Sequence, residues 1–513
     1  MKTLSAPSTA NGEQQSLERA RMQIIRGDLA GAEAALVGAL REFPRSFELR
    51  RALAGVFSRT QRHSDAENLL RELLHESPHD MASAFTLAQL LIGQARTHAA
   101  AEVIRACFDG PSLDPEVAIK AVEMLDQADR KADAAAVAEK AIAVAPQDPR
   151  LHAYAGMLQL QTGDFTSARG HYLFALEKSA QACEWHVPHG LAHAQRYADA
   201  SHPDFELLQK CLSRNDLSEK ARSTLLFALG KANDDVGEYA QAAACFRQAN
   251  SLAHSLTRWS RKDWRRAVEA RLAAKQPARP AAATPGFVPI FVVGMPRSGT
   301  TLLAELLSRY RQVCNRGELP WIAKLVQSPD LADAPGQEAL QRTSEMYCKH
   351  ARQDDALDAH WFIDKQPLNF RYVDLMLGMF PDAKVIFCQR NRRDLALSIW
   401  MQSFLEEVQG FAYDFADIQA VMRDSDRLAA HWKTRYPDSV RMVRYEDIVA
   451  DSTQISRALA KWIGLPGEPV ESAATTTIST ASLWQARQPV YSRSVGRWKN
   501  YQSHVPELLQ LPA

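Results

Sequence analysis

Residues 289–307 read PIFVVGMPRSGTTLLAELL. The run Ile290–Val293 is apolar and largely β-branched, Gly, Pro, Ser and Thr follow it, and Leu302, Leu303, Leu306 and Leu307 then recur at helical spacing. This order predicts a strand, a phosphate-type loop and a helix. Unpaired backbone N–H groups and the positive end of the dipole converge at such a helix start, so an oxyanion is the natural occupant. Gly294 and Gly299 have the spacing of a Walker-type nucleotide loop, but Thr300 stands where that motif needs Lys. The loop's fixed cation is Arg297, beside the hydroxyls of Ser298, Thr300 and Thr301, so the loop is expected to hold a phosphate without transferring it.

Three later stretches extend the pattern. RGELPW places Glu318 directly after Arg316 and Gly317 and before Pro320 and Trp321, WFIDKQP ends a short apolar run in Asp364 and Lys365, and DAKVIFCQR is a predicted strand ending in Arg390. Arg390 thus falls on the strand edge where open α/β sheets bind ligands. Ser398, eight residues on, adds a hydroxyl to the guanidinium fork.

With PRSGTT, these motifs resemble the sulfotransferases that use 3′-phosphoadenosine 5′-phosphosulfate (PAPS). Arg-Gly-Glu resembles the Gly-Gly-Glu of the tyrosylprotein branch, Arg316 departing from its first Gly. The resemblance covers nearly all of residues 287–513 in matching order. It implies a P-loop-like α/β domain with a mostly parallel sheet. It also implies roles: Arg297, Ser298, Gly299, Thr300 and Thr301 on the 5′-phosphosulfate, Arg390 and Ser398 on the 3′-phosphate, Tyr445 near the adenine. Glu318 would be the base and Lys365 the cation at the bridging oxygen. WQARQPVYSRSVGRWKNY, residues 484–501, resembles the flap over the nucleotide, with Ser494, Gly496, Arg497 and Lys499 as its candidates. Gln402 stands where the branch has another Arg, so Arg392 or Arg393 is a candidate replacement. His360 is a competing base, since cytosolic small-molecule sulfotransferases use a His. No metal is expected.

Residues 15–274 carry a different pattern. Ala32, Ala66, Ala100, Ala134 and Ala168 recur every 34 residues, Pro44, Pro78 and Pro146 each lie 12 beyond their Ala, and Gly27, Gly163 and Gly237 each lie five before an Ala. The period predicts an all-α solenoid and resembles the tetratricopeptide repeat (TPR). Its groove suits a protein or peptide. Residues 1–14 are expected to be a disordered N-terminus and 275–286 an Ala/Pro linker.

Lys plus Arg number 61 and Asp plus Glu 60, so no bulk field draws the chain to nucleic acid. A signal-peptide core and any run of about 18 apolar residues are lacking, so a cytoplasmic chain without a membrane span is expected. Seven scattered cysteines without a CxxC pair indicate neither disulfides nor zinc, and free thiols are expected. The expected function is sulfuryl transfer from PAPS to a hydroxyl, on a protein or peptide tyrosine or a small alcohol or phenol. The rivals are a P-loop NTPase or kinase-type phosphotransferase and a TPR scaffold with an inactive nucleotide-binding domain.

Overall fold

Alanine at every thirty-fourth position sets how closely the helices pair: Ala32, Ala66, Ala100, Ala134 and Ala168 are all fully buried. The computed structural model describes residues 9–108, 114–275, 279–331, 335–354, 359–404, 407–470 and 493–512. Its chain divides into two compact units, residues 1–146 with 353–355, and residues 147–352 with 356–513.

The first unit is built of helix pairs, beginning with Thr9–Ile25 against Leu29–Glu42 and ending with Pro115–Gln127 against Lys131–Val144. The first helix starts at Thr9, inside the stretch expected to lack order. Positions 27, 61, 95, 129 and 163 are 34 apart, and every one adopts left-handed backbone: Gly27 (φ 80°), Gln61 (63°), Ala95 (61°), Asp129 (60°) and Gly163 (96°). Each closes the first helix of its pair, where only glycine takes that conformation without steric cost. At exposed Gln61, Gln61→Gly should therefore raise stability by about 0.5–1 kcal/mol, the relief of left-handed strain less glycine's extra unfolded entropy. A urea midpoint that falls would contradict this.

The second unit continues with the pair Pro149–Thr162 and Phe165–Lys178, then Glu219–Asp235 against Tyr239–Leu256. Cys183 and Cys211 form a disulfide, which corrects the expectation of free thiols. The turn Ala180–Cys183 and the helix Pro203–Leu212 bring their Cα atoms to 5.7 Å. The other five cysteines take no part in a disulfide.

The sheet has five parallel strands: β1 (Val288–Gly294), β2 (Val313–Asn315), β3 (Trp361–Asp364), β4 (Lys384–Gln389) and β5 (Val440–Arg444), in the order β2-β3-β1-β4-β5. Alternate residues of β1 enter opposite layers. Ile290 and Val292 pack with Leu303 and Leu307, while Phe291 and Val293 pack with Phe362, Phe387 and Trp432. The second layer also takes in Phe227, Phe246 and Trp264 from the helices before the sheet. Helix Arg261–Ala273 is fastened by Trp264 Nε1 donating to Asp424 (3.1 Å). The described part of the expected linker is also bonded, Ala281 N–H to the Gly378 carbonyl and Arg352 to the Gly286 carbonyl; residues 276–278 lie outside the described residues. Among the described residues no helix is long and apolar enough to cross a membrane.

Candidate active site

Each strand delivers one motif at its C-terminal end. β1 runs into the loop with Arg297, β2 into Gly317-Glu318, β3 into Lys365, β4 into Arg390 and β5 into Tyr445. Parallel strands share a direction, so these five ends lie on one edge of the sheet.

The loop between β1 and helix Thr300–Ser308 is bent by three left-handed residues, Gly294 (φ 143°), Arg297 (70°) and Gly299 (98°). A Cβ on Gly294 would stand 2.4 Å from the Cys388 carbonyl, and one on Gly299 would stand 2.6 Å from the Tyr445 ring. Gly299 brings no side-chain cap to the helix it opens, so the first-turn amides remain available to an anion. Ser298 is fully buried and its Oγ has no hydrogen-bond partner among the described residues. Thr300 is buried beside it in the first turn, and Thr301 is half-buried.

Arg390 links three of the motifs. It donates to the Arg297 carbonyl (2.9 Å) and the Ser494 carbonyl (2.7 Å), and its guanidinium lies 4.7 Å from the Tyr445 ring centroid. Its Nε has no partner among the described residues. Burial lowers its pKa, and the nearby Arg497 cation works the same way. Arg297 Nε reaches Ser398 Oγ (3.3 Å), and the Tyr445 hydroxyl bonds Ser494 Oγ (2.6 Å). A half-buried cation with an unused donor, an orphaned serine hydroxyl and uncapped helix amides fit an anion with more than one phosphate-like group.

Glu318 accepts from Lys365 Nζ, Lys365 being almost wholly buried. The turn is held by backbone and side chains together. The Lys365 amide donates to Gly317 O (2.8 Å), and Asn315 takes the Gly317 amide (3.0 Å) while donating to Glu305 on the loop helix (3.1 Å). Gly317 has φ 61°. Arg316 points elsewhere: its Nε donates to the Ala351 carbonyl (2.6 Å), capping the helix Gln337–Arg352. A side chain in place of the family's first Gly thus finds its own partner while the turn is kept.

Arg392 pairs with Asp426, and Arg393 donates to Leu511 O (3.0 Å) and stacks on Trp498, so both cations named as replacements for the missing Arg are engaged elsewhere. Gln402 Nε2 lies 3.4 Å from the Met401 carbonyl. His360 precedes β3, its backbone bonded to Gln312 and Val288, at the opposite end of that strand from Lys365. Gly496 donates its amide to Asp394 (2.7 Å), Arg497 pairs with Asp234, and Lys499 is exposed. Residues 484–492 of the expected flap lie outside the described residues.

Asp364, immediately before Lys365, was not singled out by its sequence pattern. It is fully buried and accepts from the Tyr347 hydroxyl (2.8 Å). Burial raises its pKa to about 7, against the Tyr347 hydroxyl, the Leu319 amide and Lys365, which pull it down. Folded protein therefore holds this proton more tightly than the unfolded chain, and stability falls as pH rises from about 3.8 to about 7. In Asp364→Asn that fall should flatten, read as thermal midpoints at the two ends of this interval. An unchanged slope would contradict it.

Five parallel strands with a loop of uncapped amides at their shared edge, preceded by paired helices, make an α/β domain joined to helical repeats. Residues 289–469 match the profile described as "Sulfotransferase family" and residues 23–90 that described as "Tetratricopeptide repeat". The chain thus carries a sulfotransferase-family domain together with TPR repeats. It is 29% identical over 338 residues to an uncharacterised protein of Aquifex aeolicus (strain VF5), covering 61% of this chain and 44% of that one. Among solved structures it is similar to the sulfotransferase domain of the Synechococcus PCC 7002 olefin synthase (19% identity, TM-score 0.34, 46% of this chain and all of that one). It is also similar to a tetratricopeptide repeat protein of Parabacteroides merdae (16%, TM-score 0.28, 47% and 93%).

Proposed function

We propose that this chain transfers a sulfuryl group from PAPS to a hydroxyl acceptor, a protein or peptide tyrosine held near the repeat groove being the acceptor class favoured by Arg316-Gly317-Glu318. The observation that carries the reading is the Glu318–Lys365 contact set on the same sheet edge as Arg390 and the uncapped loop. The loop from Arg297 to Thr301 grips the 5′ end of the donor, and Arg390 with Ser398 grips the 3′-phosphate. Glu318 takes the proton from the acceptor hydroxyl, whose oxygen forms the new bond to sulfur. The old bond between sulfur and the bridging oxygen breaks, and its electron pair stays on the 5′-phosphate. Lys365 meets that growing negative charge in a site it occupies almost without water. Lys365 touches Glu318 in the resting protein, so donor and acceptor each draw one partner away from the other.

In this reading residues 15–274 form the repeat domain, 275–286 the linker and 287–513 the transferase domain, and the reaction runs in the cytoplasm. Titration calorimetry with 3′-phosphoadenosine 5′-phosphate (PAP) and with magnesium ATP tests the donor: PAP should bind and ATP should not. Preference for ATP would move the chain to the phosphotransferases. Incubation with sulfur-labelled PAPS and a cell lysate tests the acceptor, and label confined to small molecules would remove the tyrosine.

A further inference from the structure

The segment 494–501 reaches Arg390 and Tyr445 through Ser494, whose carbonyl accepts from Arg390 and whose hydroxyl bonds that of Tyr445. Two carboxylates hold the rest of it. Asp394, on helix Arg392–Trp400 and nearly fully buried, accepts the amides of Gly496 (2.7 Å) and Trp498 (2.9 Å). Asp234 comes from the other side, from the last turn of helix Glu219–Asp235 in the repeat-patterned region, 263 residues away in sequence from Arg497. One of its oxygens takes Arg497 and the other takes the hydroxyl of fully buried Tyr501 (2.6 Å). Neighbouring contacts come from the next helix, Tyr239–Leu256: Asn500 donates to the Tyr239 hydroxyl (3.1 Å), the Tyr501 and Tyr239 rings meet edge to face, and Arg247 pairs with Glu507.

We propose that Asp234 is a positioning residue for the nucleotide, a helical-repeat side chain that fixes the segment against which Arg390 and Tyr445 are set. The inference rests on the PAPS reading above. Asp234 acts by position and by charge. With both oxygens engaged it fixes residues 497 and 501, leaving Ser494 little freedom relative to Arg390. It also neutralises Arg497, a cation close enough to Arg390 to disfavour its charge. Without Asp234 that repulsion is no longer offset by its carboxylate and the Ser494 end of the clamp loosens. The helices before the sheet are, in this account, part of donor binding rather than a detachable module.

The test uses the full-length chain. Asp234→Asn keeps the shape and removes the charge; it should weaken PAP about tenfold or more and raise KM for PAPS by a similar factor, with kcat at saturating donor within about twofold. Asp234→Glu should restore most of the affinity, and Tyr501→Phe, which keeps the ion pair, should fall between. Hydrogen exchange on the unmutated chain gives a second measurement that does not depend on a variant folding. PAP should slow exchange in the last turn of helix Glu219–Asp235 as well as in 494–501. Equal PAP affinity in Asp234→Asn, or PAP protection confined to the sheet edge, would overturn the role of Asp234 while leaving the donor reading intact. Failure of the unmutated chain to bind PAP would overturn both.

Discussion

Glu318→Gln is expected to leave PAP binding within about twofold while cutting turnover about a thousandfold, the range that removal of a positioned general base commonly costs. The substitution is nearly isosteric. The amide oxygen can still accept from Lys365 Nζ, and the turn itself is held by the Gly317 carbonyl, the Gly317 amide and Asn315, none of which involves the Glu318 carboxylate. What is lost is the capacity to take a proton. Because the candidate nucleotide contacts lie on other strand ends, PAP should not sense the change. Steady-state rates with saturating PAPS and PAP calorimetry on the same preparation separate the two effects. Turnover within tenfold of the unmutated chain would place the base elsewhere. His360 would then be a poor alternative, since it sits at the far end of β3 from Lys365.

What could be read from the chain in advance was local. Strand, loop and helix around Arg297 announce themselves because β-branched residues, glycines and spaced leucines are adjacent in sequence, and the 34-residue alanine period announces the paired helices for the same reason. Where a property depends on who arrives from far away, pattern says little. Arg316 looked like a defect in a motif, but its guanidinium caps a helix through a carbonyl 35 residues later. Gln61, Ala95 and Asp129 carry no glycine signal, yet the repeat imposes left-handed backbone on all three. Cys183 and Cys211 are 28 residues apart with nothing between them to suggest pairing. Asp364 reads as an ordinary acid beside a lysine, and only its complete burial against Tyr347 makes it a titrating group. Arg497 was legible as a basic residue of the flap, but its partner is a carboxylate on the Glu219–Asp235 helix.

Replacing Arg390 by Met should produce opposite changes in two measurements. In the protein without nucleotide, Arg390 is half-buried, its Nε is out of reach of water with no partner among the described residues, and desolvation lowers its pKa. Its two carbonyl bonds and its stacking on Tyr445 offset only part of the cost of keeping a cation out of water. An unbranched apolar side chain of similar length removes that cost, so the thermal midpoint of Arg390→Met should stay level or rise, a pattern common where a site is built for a ligand rather than for stability. Nucleotide binding should move the other way. Losing two charge-assisted hydrogen bonds to a phosphate, at about 1.5–3 kcal/mol each, corresponds to a PAP affinity at least a hundredfold weaker. Scanning calorimetry with and without PAP reads both effects at once: the unmutated chain should gain a large shift with the nucleotide and Arg390→Met almost none. A variant that melts far below the unmutated chain would make Arg390 a structural cation. One that keeps the full PAP shift would remove it from the 3′-phosphate.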